Sequence, residues 1–136
     1  MNTVQQTVTF KVSPERLFEI YTDSKNHTAA TSAKAAISRK VGAKWSAFDG
    51  MIGGRNLVVV PNRLIVQAWR AAHWKKSDPD SILVMKFSKT KSGCRIELLH
   101  ANIPEHDFKG VRNGWPNYYW KPWRNYLAKQ RRRSHR

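Results

Sequence analysis

The feature that most constrains this chain lies near its end, in Gly114-Trp115-Pro116-Asn117-Tyr118-Tyr119-Trp120-Lys121-Pro122-Trp123-Arg124-Asn125-Tyr126-Leu127. Trp115, Tyr119, Trp123 and Tyr126 recur at spacings of four, four and three, which puts their rings on one face of a helix. So wide an aromatic stripe needs a broad apolar surface to lie on. Most of the remaining chain reads as short strands, so the expected architecture is α+β: a curved antiparallel sheet gripping a long C-terminal helix. That helix is expected to start near Pro116, because a proline biases the residue before it away from the α region. Pro122, inside it, is expected to kink it.

The strands follow from alternation. Val8, Phe10 and Val12 fall on one side of a first strand spanning Val4 to Val12,. Ser13-Pro14-Glu15-Arg16 supplies an N-cap, a proline at the first helical position and an acid at the second, and Leu17, Phe18, Ile20 and Tyr21 form the apolar stripe of a helix over 14–22,. Asp23 to Thr31 reads as a second short helix or turn, and Lys34 to Lys40 as a weak strand. A meander follows. Lys44 to Phe48 leads into Asp49-Gly50, the dipeptide of a type I′ hairpin, and Met51 to Val60 returns,. Pro61-Asn62 marks the next reversal. With two-residue turns at both places, Trp45 lies opposite Gly54 and Gly54 opposite Trp69, so that the two indoles share a face across a residue with no side chain. On that face Asn56 meets Gln67 and Val58 meets Ile65, whereas Lys44, Arg55 and Arg70 point the other way. A bulge at Gly53-Gly54 would shift this register by one. Ile82 to Phe87 and Cys94 to Ala101 complete the sheet, with Cys94, Ile96, Leu98 and His100 pointing inward.

At 136 residues the chain suits one domain, read as 1–128 with a basic, disordered tail over 129–136,. Its single cysteine permits no disulfide framework and no zinc ligand set, so the expected compartment is the cytoplasm,. No run of 18 apolar residues offers a transmembrane segment,. Twenty-five Lys and Arg against nine Asp and Glu give a net charge of +16. Five of those cations lie in the tail, which leaves +11 on the body. Such a field attracts acidic proteins, anionic membranes or nucleic acid in a salt-dependent way.

Catalytic and phosphate-binding signatures are absent: the sequence has no G-x-S-x-G, no G-x-x-x-x-G-K and no H-E-x-x-H,. No cofactor or metal is expected. The informative residues are the aromatics. They either fill a core or line a cavity between sheet and helix, since ligand pockets are mostly apolar with a few placed polar groups. The candidate lining is Trp45, Ile52, Val58, Ile65, Trp69, Ile96, Leu98, His100, Trp115, Tyr119 and Trp123, with Asn56 and Gln67 as the polar pair that would orient a ligand. An enzymatic site would need a titratable pair there, and His100 with Glu105 or Asp107 is the nearby candidate.

Several stretches in order resemble a known family: Ser-Pro-Glu-Arg-Leu-Phe at 13–18, Phe48-Asp49-Gly50-Met51-Ile52-Gly53-Gly54, Ile65 to Arg70, Leu98 to Pro104, and Gly114 through Leu127. Together, over about residues 4–128, they are similar to the homologues of the activator of the ninety-kilodalton heat-shock-protein ATPase, within the START-like or SRPBCC superfamily. The resemblance implies the helix-grip (Bet v 1-like) fold, with two short helices after the first strand. Two roles follow from it: a superfamily cavity that takes hydrophobic ligands, and a co-chaperone domain. The leading expectation is non-enzymatic binding of a hydrophobic or amphipathic small molecule in the cavity. The alternatives are a stand-alone co-chaperone-like protein that binds a chaperone or other acidic partner, and a cyclase or hydrolase of the same superfamily. Nucleic acid is suggested by charge and aromatics alone.

Overall fold

The computed structural model describes residues 2–134. Strand β1 (Asn2–Phe10) runs into Ser13, whose side chain accepts from the Arg16 amide and caps α1 (Pro14–Thr22). Asp23 then caps α2 (Ser24–Thr31) in the same way, accepting from the Asn26 amide. The sheet continues with β2 (Lys44–Ala47), β3 (Ile52–Val60), β4 (Leu64–Ala71), β5 (Ser81–Lys89) and β6 (Cys94–Ile103). All pairs are antiparallel, in the order β1-β6-β5-β4-β3-β2. The 34–40 stretch makes only an isolated bridge, Ala36 to Ser46. Its polar groups go to side chains instead: the Asn56 amide caps the carbonyls of Ser38 and Lys40, and Ser24 Oγ accepts from the Ile37 amide.

The hairpin register is as expected at the tryptophans, and for an instructive reason. Between β2 and β3 the Met51 amide bonds to the Phe48 carbonyl at 3.1 Å, with positive φ at Asp49 and Gly50, as a type I′ turn requires,. Trp45 pairs with Gly54 and Gly54 with Trp69. The next turn differs from the expectation. Val60 pairs with Leu64, so three residues make the loop, with Asn62 in the left-handed region at φ 67°. A bulge between Asn56 and Val58 absorbs the extra residue and restores Asn56 to Gln67,. The cost of the bulge falls on Val58: it pairs with Val66 rather than Ile65, faces outward and is 42% exposed.

The C-terminal helix begins earlier than expected. After a 3₁₀ turn at Glu105–Asp107, α3 (Phe108–Gly114) passes through a π-helical segment, Trp115–Trp120, into α4 (Lys121–Ser134). Trp115 is helical at φ −58°, ψ −53° in spite of Pro116. Two prolines six residues apart remove two amide donors, and the wide turn between them re-pairs the backbone, the Lys121 amide reaching the Pro116 carbonyl,. The Arg112 carbonyl, for which Pro116 has no amide, accepts instead from Gln6 Nε2 at 2.9 Å. Gln6 Oε1 in turn accepts from Trp120 Nε1 at 2.8 Å. The wide turn also brings both Tyr119 and Trp120 to the buried face, and Leu127 rather than Tyr126 ends the stripe. The stretch expected as a disordered tail continues α4 as far as Ser134, with residues 135–136 outside the described part. Buried Leu127 anchors it, Gln130 bonds to Arg16 and Tyr126, and cations in a last helical turn complement the helix dipole,.

Candidate functional site

The space between sheet and helix is occupied by the chain's own side chains. Trp123, fully buried, packs edge-on against Tyr119 at 5.7 Å and Trp120 at 5.6 Å and meets Phe10 at 5.9 Å. Ile65, Ile96 and Leu98 join it in the buried core. Trp45 is also buried there, its indole crossing over Gly54 to donate to the Ala68 carbonyl at 3.3 Å. A Cβ on Gly54 would stand 1.7 Å from that same carbonyl oxygen, so the sequence needs glycine here.

Buried polar groups cost free energy unless they are paired, and nearly all of those in the grip answer one another. Tyr21 donates to Gln67 Oε1 at 2.7 Å, and Gln67 Nε2 donates to Asn56 Oδ1 at 2.9 Å. Asn56 spends its own amide on the two carbonyls of the 34–40 stretch. The pair expected to orient a ligand is thus engaged in tying strand, helix and loop together. His27 sits between the Tyr21 carbonyl at 2.7 Å and the Tyr119 hydroxyl at 3.0 Å. Because the carbonyl can only accept, Nδ1 carries the hydrogen and Nε2 accepts from Tyr119.

His100 is similarly engaged. Trp115 Nε1, a donor only, bonds to His100 Nδ1 at 3.1 Å, so Nε2 holds the hydrogen and donates to Ser81 Oγ at 2.8 Å,. Ser81 passes its own hydrogen to the Trp69 carbonyl at 2.7 Å. Burial lowers the His100 pKa to about 3 and also lowers that of His27,. The acid–base pairing imagined for His100 does not form: Asp107 instead accepts from Trp74 Nε1 at 2.7 Å and lies 3.4 Å from His73 Nε2. Glu105 is exposed in the turn before α3.

What stays open is one end of the grip. An apolar cleft of about 470 Å³ lies between the β2–β3 hairpin and the start of the π-helical segment. Of the residues expected to line a cavity, Ile52, Trp69, Trp115 and Tyr119 do so here. Trp45, Asn56, Ile65, Gln67, Ile96, Leu98, His100 and Trp123 lie instead in the filled interior, and Val58 on the outside. The cleft also uses Phe48, Met51 and Tyr118, which sequence reasoning did not single out. Phe48 meets Tyr118 at 5.7 Å and Tyr119 at 5.4 Å, edge to face. Tyr118 lies three residues after Trp115 and one before the stripe residue Tyr119, and is largely exposed at the cleft's rim. Phe48 and Met51 flank the Asp49-Gly50 turn that carried the hairpin reading. His73 and Asp107 supply the polar rim. Two buried indole donors have no acceptor, Nε1 of Trp69, whose side chain lines the cleft, and Nε1 of Trp123 in the core.

No group of three or more His, Cys, Asp or Glu able to hold a metal occurs among the described residues. Cys94 is a free, buried thiol whose pKa burial raises. No described helix is long and apolar enough to cross a membrane.

A curated relative from Homo sapiens, "Activator of 90 kDa heat shock protein ATPase homolog 1", is 28% identical over 113 residues, 83% of this chain and 33% of that protein. A relative from Dictyostelium discoideum, "Activator of 90 kDa heat shock protein ATPase homolog", is 26% identical over 106 residues, 78% of this chain and 28% of that protein. The chain therefore spans about a third of the length of these relatives. Among solved structures, an HSP90 activator from Plasmodium falciparum superposes with a TM-score of 0.84 at 27% identity, covering 93% of this chain and 96% of the other. A Mesorhizobium loti protein at 20% identity shares the fold with a TM-score of 0.80, over 94% and 98% of the two chains. The family described as "Activator of Hsp90 ATPase homolog 1-like protein" matches residues 11–128, and this chain belongs to it.

Proposed function

We propose that this chain is an interaction partner of an Hsp90-class chaperone that stimulates the chaperone's ATPase and makes contact through its basic surface. The observation that carries the reading is the state of the grip. Its interior is filled by Trp123, Tyr21 and their neighbours, and Gln67, Asn56, His27 and His100 spend their polar atoms on neighbouring side chains and on backbone. What such a chain offers a partner is its outside, which carries a net charge of +16. The relatives are named as activators of this ATPase, which supports the same partner. A free thiol and no disulfide agree with work in the cytoplasm,. The test is the steady-state ATPase rate of a purified Hsp90 with and without this protein. A saturable rise in rate is expected; an unchanged rate at saturating protein, with no complex on pull-down, overturns the reading.

A second reading is favoured by one specific observation. Trp69 lines an open apolar cleft, and its buried Nε1 has no acceptor; a small amphipathic molecule that entered the cleft and shifted the ring could bring an acceptor oxygen to that donor. Native mass spectrometry of the purified protein tests it: a stoichiometric bound molecule, lost in Trp69→Phe, supports this reading. A ligand-free mass, together with tryptophan fluorescence that ignores added fatty acids, removes it.

A further inference from the structure

In each central strand the alternate residues under the helices are buried: Ile65, Gln67 and Trp69 on β4, and Leu83, Met85 and Phe87 on β5. The other alternates point outward, and a sheet with one solvated face should be polar there. This one is apolar across its middle. The pairings Leu99 to Val84, Val84 to Val66 and Val66 to Val58 set four aliphatic side chains in a row across four strands. Ile82 and Leu64 extend the row on β5 and β4, and all of these residues are half-buried or exposed. The bulge at Leu57 is what turns Val58 outward to complete the row.

The rim of this patch is cationic. Lys44 and Arg55 form a cross-strand pair on one flank, and Lys86 and Arg95 lie on the other, with Glu97 at 4.0 Å from Lys86 as the acid among them. At the β3 end the patch runs to an open edge: β2 pairs with residues 52–55, and Asn56 bonds to Gly42 and Ala43, after which no described strand flanks Leu57–Val60 on that side. Leu57 and Val60 are 42% and 40% exposed there. An apolar centre with a charged rim is the anatomy of a protein interface. A second copy of this chain would bring like charge to like charge,.

We propose that the outer face of the sheet, centred on Val66 and Val84, docks an acidic protein surface with an apolar centre. This rests on the chaperone reading, under which that surface belongs to Hsp90. The experiment measures the affinity of a purified full-length Hsp90 for four forms of this protein: wild type, Val84→Glu, the pair Lys44→Glu with Arg55→Glu, and the pair Lys25→Glu with Lys109→Glu. The last makes the same change in charge at exposed positions on α2 and α3. Both outer-face variants should weaken binding at least about tenfold with far-UV spectra and melting curves like those of wild type, and the helix-side variant should bind as wild type does. The Lys44 and Arg55 changes are at exposed positions, so they report even where Val84→Glu unfolds the sheet. Amides of β3–β5 should gain exchange protection in the complex. Wild-type affinity in both outer-face variants overturns the docking face and leaves the chaperone reading standing. Absence of binding by wild type overturns both. Equal loss in the helix-side variant reduces the effect to long-range charge and overturns the face. A dimer of the free protein that Val84→Glu dissolves assigns the face to a second copy instead.

Discussion

Gly54 shows at the scale of one residue how closely this fold is determined. The indole of Trp45 crosses it to bond a carbonyl on β4, and a methyl group there would collide with backbone rather than with a movable side chain. Gly54→Ala should therefore destabilise the protein by about 1–3 kcal/mol or more, read as a fall in urea midpoint; an unchanged midpoint would contradict the packing described. The histidines make a second prediction. Burial holds the folded-state pKa of His100 at about 3, below its ordinary 6.5, and that of His27 lower than 6.5 as well. The unfolded chain therefore binds protons that the folded chain refuses, so stability is intact above pH 6.5 and falls as the pH drops below it. The slope from His100 alone should steepen from pH 6.5 to approach about 1.4 kcal/mol per pH unit near pH 5, measured by urea unfolding at a series of pH values. A flat profile across that window would mean that His100 titrates normally. Inward-facing His100, Cys94, Ile96 and Leu98 were all legible from alternation. Val58 was not, because a bulge leaves no mark in an apolar run such as Leu57 to Val60.

At the scale of elements, the sheet and α1 were legible in the sequence because each carries its own signal: the cap at Ser13, a turn dipeptide at Asp49-Gly50, and period-two burial on β4 to β6. The β3–β4 hairpin was half legible. Its three-residue loop was misjudged, and the bulge at Leu57 restored the register, so the pairing of Asn56 with Gln67 came out as expected by cancellation. The long helix was the harder element. Pro116 reads as a start and Pro122 as a kink when the local rule is applied alone, whereas the structure answers both with a π-helical segment and a side chain from β1. Gln6 donates to the carbonyl that Pro116 orphans and accepts from Trp120, 114 residues away in sequence. Removing it in Gln6→Ala should cost about 1–3 kcal/mol, two hydrogen bonds' worth. It should also speed amide exchange selectively at residues 117–121, while β4 and β5 exchange as in wild type. Uniform exchange across the helix and sheet would show that Gln6 plays no special part in holding the wide turn. The candidate site was legible in outline only. Trp69, Trp115 and Tyr119 were visible as aromatics on the right faces, but whether they enclose space depends on the side chains that fill it, which no periodicity encodes.

The grip closes on its own residues, leaving an open apolar cleft at one end and a basic exterior with an apolar stripe across the outer sheet. Charge of this size accelerates encounter with an acidic partner and loses its reach as salt shortens the screening length. Under the proposed docking, burial of the aliphatic row would govern how long the complex lasts, because dissociation reports close contacts more than distant charge. The most direct test is therefore stopped-flow association and dissociation of this protein with a purified Hsp90 across a range of salt concentrations. Rising salt should slow association at least about tenfold and leave dissociation nearly unchanged, with Val84→Glu raising the dissociation rate at every salt. An association rate indifferent to salt, or no complex at any salt, would contradict the claim that this chain acts through its surface.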